Sequence, residues 1–190
     1  MNKKVSLEII TGLSVVAIAA TVLASKSSII GLRANADPVV TLTTLTYDDF
    51  AWGKLESNRY FWVTSPNGNK IGIYLGGNCA IGGEEGHGQL TLSSSEEAYV
   101  DSNSVVADPS ARKYAFSEIK SISVSFTTSS ASAYLKIQYF DGEFNVDGYL
   151  SNNSNENLNN SHYFKLYPSG GMVNITSIRV TYNSTSDFCN

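Results

Sequence analysis

The chain has 190 residues, with 17 Asp and Glu against 13 Lys and Arg and a formal net charge of −4. That balance excludes the basic footprint that nucleic acid or an anionic lipid surface demands. The two cysteines and two histidines show no CxxC or Cys/His spacing of the kind that builds a zinc site.

The N-terminus opens on Met1-Asn2-Lys3-Lys4 and continues from Ile9 to Ala24 as an uncharged run of apolar and small residues. A basic start followed by such a run is the pattern of a secretory signal. Ala34-Asn35-Ala36 then sets small residues at the two positions a signal peptidase reads, so residues 1–36 are predicted to be a signal peptide, with cleavage after Ala36. An earlier cut near Ala24 and an uncleaved anchor are the alternatives, because the apolar run is only slightly shorter than a bilayer span. Cleavage removes four basic and one acidic side chain and leaves nine basic and sixteen acidic ones, a mature charge near −7. The predicted location is outside the cell or on its surface, with no membrane insertion once the signal is gone. The Lys-Lys start and Asn-rich composition have a bacterial character.

Beyond Ala36 no stretch of ten residues has helical periodicity, whereas short runs rich in β-branched and aromatic residues alternate with period two. Strands are predicted over 39–47, 60–64, 71–75, 89–93, 122–126, 135–139, 148–150, 163–166 and 178–182. The clearest alternation is Ile122-Ser123-Val124-Ser125-Phe126, whose apolar side chains face a core while the serines face water. Turn signals separate the runs at Pro66-Asn67-Gly68-Asn69, Gly76-Gly77-Asn78, Asp108-Pro109-Ser110, Asp141-Gly142 and Pro168-Ser169-Gly170-Gly171. The Asn-rich stretch over 151–161 has almost no apolar content and is predicted to be a mobile loop. Eight to ten short strands fit a two-sheet antiparallel β-sandwich of jelly-roll type, formed by residues 37–190 as one domain behind the signal helix.

Three groups of residues carry chemistry worth weighing. Cys79 and Cys189 both follow the signal and are expected to form one disulfide in an oxidising compartment. The segment Gly72 to Gly88 gathers seven glycines with Glu84, Glu85 and His87, and reads as a glycine-rich solvated hairpin rather than an acid/base site. Trp52 and the run Tyr60-Phe61-Trp62 are the best platforms for stacking a sugar ring, with core packing as the competing role for each tryptophan. Among the acids, Asp141, Glu143 and Asp147 lie around a hairpin without the full pattern of a calcium loop. No Gly-x-Ser-x-Gly elbow is present, and no catalytic or metal residues are assigned.

The runs EIKSISVSF and AYLKIQYFDG, with NITSIRVTY at the end of the chain, resemble the terminal half of jelly-roll modules in secreted bacterial proteins, among them carbohydrate-binding and galactose-binding-like domains. The resemblance covers residues 117–141 and 172–182. It implies ligand binding through loops or a sheet face, often with a structural calcium. A secreted or surface-located module that binds glycan or another extracellular ligand is therefore the expected function, with Trp52, Tyr60 and Trp62 as its binding residues. A small jelly-roll polysaccharide lyase or glycosidase is the enzymatic alternative, assembled from His162, Tyr163, Arg179 and Gln138 or built on His87. A structural or adhesive surface protein is the third.

Overall fold

The computed structural model describes residues 41–48, 50, 59–65, 68, 70–77, 79–84, 87–94 and 97–184. They build two antiparallel sheets. The first takes β1 (Thr41–Asp48), β4 (Cys79–Glu84), β5 (His87–Leu92), β7 (Glu118–Thr128), β10 (Asn155–Ser161) and β12 (Val173–Ser184). Its order is β10-β7-β12-β5-β4, and β1 pairs along β12 beyond the stretch that β5 occupies. The second sheet runs β2 (Tyr60–Thr64), β3 (Lys70–Leu75), β6 (Val100–Asp101), β11 (Phe164–Ser169), β8 (Tyr134–Phe140) and β9 (Asn145–Leu150), in that spatial order.

Period-two alternation explains why the sheets close on each other. Ile122, Val124 and Phe126 of β7 and Ile178, Val180 and Tyr182 of β12 turn to the same side. They meet Phe61, Ile71, Ile73, Leu135, Ile137 and Leu166 of the second sheet in one buried cluster. Each such side chain removed from water contributes about 1.5–3 kcal/mol, so this shared interior, rather than any single pairing, holds the sandwich together. The predicted two-sheet antiparallel β-sandwich is the fold observed and is consistent with a jelly-roll type; the predicted signal helix lies outside the described residues.

Only one short helix, α1 (Asn103–Ala107), interrupts the strands among the described residues, followed by a 3-10 turn at Arg112–Tyr114. This excursion lies against the outside of the second sheet, where Val105, Ala111 and Ala115 bury Tyr60 in a small second core. No helix among the described residues is long and apolar enough to cross a membrane.

Two expectations are corrected. The Asn-rich stretch is not a loop throughout, because Asn155–Ser161 pairs with β7 as an edge strand. Backbone pairing does not require apolar neighbours, and the one leucine there, Leu158, is fully buried in the core. Asn159 and Asn160 take the left-handed backbone, φ 50° and 65°, which asparagine tolerates better than most residues, and the register slips between Asn157 and Ser161. The expected Cys79–Cys189 bridge is also not formed. Cys79 is a free thiol that donates to the carbonyl of Tyr99 at 3.0 Å, and Cys189 lies outside the described residues. Burial pushes the Cys79 thiol up to about 11, against the pull of the Arg59 guanidinium.

Candidate functional site

The core-facing residues of the second sheet leave the alternate set on its outer face, and the strand register aligns them in two rows. In the first row Tyr149 lies opposite Lys136 and Lys136 opposite Tyr167. Tyr99, which precedes β6, follows beyond Tyr167. In the second row Asp147, Gln138, Lys165, Asp101, Tyr74 and Tyr60 succeed one another from β9 to β2.

From β9 to β11 and Tyr99 these side chains form a connected surface, whereas Asp101 and Tyr60 are buried and Tyr74 packs against the small second core. Tyr134 meets Tyr149 edge-on at 5.5 Å between ring centres, and the two are 51% and 64% exposed. Tyr167 is half-buried between two lysines. The Lys136 Nζ lies 5.4 Å from the Tyr149 ring centre and 5.7 Å from that of Tyr167, and the Lys165 Nζ lies 4.4 Å from Tyr99 and 5.7 Å from Tyr167. Cations over aromatic faces at these separations are attracted by the ring quadrupole, which fixes both ammoniums beside the rings instead of letting them range through solvent.

Polar groups between the rings are already oriented. The Tyr167 hydroxyl and the Gln138 amide both donate to Asp147 Oδ1 at 3.1 Å, and the Tyr163 hydroxyl donates to Asn145 Oδ1 at 2.6 Å. Burial is the first cause that raises the Tyr167 and Tyr99 phenols above their ordinary value, so both keep their protons at neutral pH. Asp101 is buried and accepts from the Ser104 backbone N–H of α1 at 2.7 Å and the Ser104 hydroxyl at 3.1 Å. Burial raises that carboxyl while the two Ser104 hydrogen bonds and the nearby Lys165 charge oppose the rise. A cleft of about 380 Å³ opens over Lys136, Lys165 and Tyr167, closed at one side by Ser94, Ser169 and Gly170.

The residues singled out from the sequence fall elsewhere. Tyr60 is buried, stacked on Trp62 at 4.9 Å, with its hydroxyl donating to Asp108 Oδ2 at 2.8 Å. Trp62 is half-buried; its ring rests on Gly72 and meets Tyr114 edge-on at 5.1 Å. Both belong to the cluster beneath the 3-10 turn. Trp52 lies outside the described residues, as do the side chains of His87, Glu84 and Glu85.

The lyase set is not brought together. Arg179 sits on the outer face of the first sheet beside Ser123, Ser125 and Ser177, Gln138 is on that of the second, and the His162 ring contacts the Ser117 carbonyl through Nδ1 at 2.5 Å. Nor do Asp141, Glu143 and Asp147 gather. Among the described residues no three His, Cys, Asp or Glu side chains stand close enough to hold a metal ion. Asp141 instead accepts from the backbone N–H groups of Glu143 and Phe144 at 2.9 and 2.8 Å, closing its own turn around Gly142 at φ +101°.

The face that does assemble was missed in the sequence, although part of its signal was present. With Leu135, Ile137 and Tyr139 inward, parity alone sends Tyr134, Lys136 and Gln138 outward. Their meeting with Tyr149, Tyr167 and Tyr99 depends on register across four strands. Neither a protein-family model nor any curated protein sequence matches the chain.

Proposed function

We propose that the protein is an exported, surface-located or secreted glycan-binding module, its signal removed after Ala36, and that the outer face of the second sheet is its binding surface. The observation that carries this reading is the row Tyr149, Lys136, Tyr167 and Tyr99 across β9, β8, β11 and the start of β6. Adjacent strands lie about 4.8 Å apart, close to the length of one pyranose ring. A sugar chain laid across the strands meets one side chain of the row per ring.

The chemistry suits such a ligand. Tyrosine offers a flat apolar face together with a hydroxyl, and sugar C–H groups stack on that face while Gln138, Asp147 and the phenols exchange hydrogen bonds with the ring hydroxyls. The rings are also held before any ligand arrives, by the lysines above them and by Asp147, so little side-chain freedom is lost on binding.

Binding of the purified protein to a glycan array, followed by affinity measurement on Tyr149→Ala and Tyr167→Ala, tests the reading. Each variant is expected to lose about tenfold in affinity, which corresponds to about 1.4 kcal/mol. Tyr149→Ala should leave the melting temperature unchanged because that ring is largely exposed. Absence of any array signal for the wild-type protein, or unchanged affinity in both variants, would overturn it.

A further inference from the structure

We infer that the glycan bound on this face is acidic, a polymer of sugars carrying ring carboxylates, and that Lys136 and Lys165 are the groups that select it; this deepens, and rests on, the glycan reading of the same surface. The chain has 13 basic side chains against 17 acidic ones, yet two lysines stand over one ring, each with its Nζ 5.7 Å from the centre of Tyr167. Both line the cleft over that ring, and the described lining includes no carboxylate.

The nearest acids on the face are otherwise engaged. Asp101 is buried and caps the first turn of α1 through Ser104. Asp147 lies in the second row and accepts from Gln138 and Tyr167. The Lys136 Nζ lies over the Tyr149 ring and the Lys165 Nζ over the Tyr99 ring, and the Lys165 charge also reaches Asp101.

Selection follows from what a ligand does to those charges. A ring stacked over Tyr167 strips water from both ammoniums, and a neutral sugar returns only weak hydroxyl contacts for that loss. A uronate seated there places its carboxylate between two cations, forming charge-assisted hydrogen bonds of the stronger class. The surface thus disfavours neutral polymers as well as favouring acidic ones, and specificity is that difference. Two lysines in an otherwise acidic molecule match a ligand with at most one charge per sugar. A phosphate backbone, with its much denser charge, needs a broad basic patch.

The test is affinity electrophoresis of the wild-type protein in gels containing a polyuronate, beside gels containing the same polymer after chemical reduction of its carboxyl groups to neutral hydroxymethyl groups. The polyuronate is expected to bind at least tenfold more tightly. Lys136→Met and Lys165→Met, which keep the apolar stem and remove the charge, should each lose about fivefold or more toward the polyuronate. Lys120→Met, which removes one charge from the first sheet, should leave its binding unchanged.

Equal binding of the two polymers, or an equal loss in all three variants, overturns the acidic selection and leaves the glycan reading standing. Failure of both polymers together with a silent glycan array overturns both. Should either cleft variant not fold, the comparison of the two polymers on the wild-type protein decides alone.

Discussion

Gly72 illustrates how one residue sets the outer face of the second sheet. A Cβ added there would lie 2.0 Å from Cε3 of Trp62, its cross-strand partner, and glycine inside a strand marks such close approaches. With the glycine in place the indole lies down on the backbone and supports Tyr60 and Tyr114. Gly72→Ala is therefore expected to destabilise by about 1–3 kcal/mol through overpacking, and Trp62→Ala by about 2–4 kcal/mol through lost burial. In the double variant the clash has no partner, so its loss should fall well short of the sum of the two single losses, the signature of contacting residues. Urea unfolding of the four proteins measures this, and simple additivity would show that Gly72 is not kept for the indole. Read from the sequence, Trp62 is a stacking platform with core packing as its competing role, and Gly72 is part of a glycine-rich solvated hairpin. Period two puts Tyr60 and Trp62 on one side of β2, but it does not reveal that residues 102–116 come back to cover them.

That covering excursion is the element through which acidity should act on stability. Asp108 fastens it. Its Oδ1 accepts from the Ser110 backbone and hydroxyl at 2.8 and 2.7 Å, and its Oδ2 from Tyr60. The Ser110 hydroxyl and then Tyr60 hold its carboxyl below the ordinary carboxylate value. A carboxyl depressed in the folded state contributes stability that is present above its unfolded pKa, near 3.9, and is lost as pH falls through the folded value. Asp101, raised chiefly by burial, has the opposite sign, since acid relieves the penalty of keeping it charged. Asp108→Asn should accordingly melt below wild type at pH 6 and approach it toward pH 3. A gap in melting temperature that stays constant between those pH values would show that the Asp108 charge is not what fastens the excursion.

Legibility also differed by element. The alternation of β7, β8 and β12 was plain in the order of the residues. The strand NENLNNS was not, because a single leucine gives no period and the strand exists through its pairing to β7. Residues 103–107, NSVVA, are too few to show a helical repeat.

At the scale of the whole molecule the sandwich presents two outer faces of different chemistry. The first sheet shows Ser121, Ser123 and Ser125 beside Thr181 and Arg179, with Asn155 and Asn157 at the edge. Small hydroxyls and amides of this kind are as well satisfied by water as by a ligand, so exchanging one for the other yields little. The second sheet shows tyrosine rings whose faces water cannot satisfy, and four of these rings come from four separate places in the chain. This is why the sequence pointed to adjacent aromatics at 60–62 and not to Tyr99, Tyr134, Tyr149 and Tyr167, which become neighbours only through the register of β6, β11, β8 and β9. The difference between the faces gives a measurement that needs no substitution. Hydroxyl-radical footprinting oxidises accessible aromatic, sulfur and branched aliphatic side chains, and the molecule carries reporters away from the proposed site as well as on it. Tyr134 and Tyr149 should lose most of their oxidation when a bound glycan lies across β9, β8 and β11. Leu42 of β1, 59% exposed, and Met172 before β12, 38% exposed, should oxidise as in the free protein. Protection of Leu42 with Tyr149 still reactive would move the ligand to the first sheet. Uniform protection of all four would indicate that the glycan coats the molecule without choosing a face, and the tyrosine row would then lose its role as a binding surface.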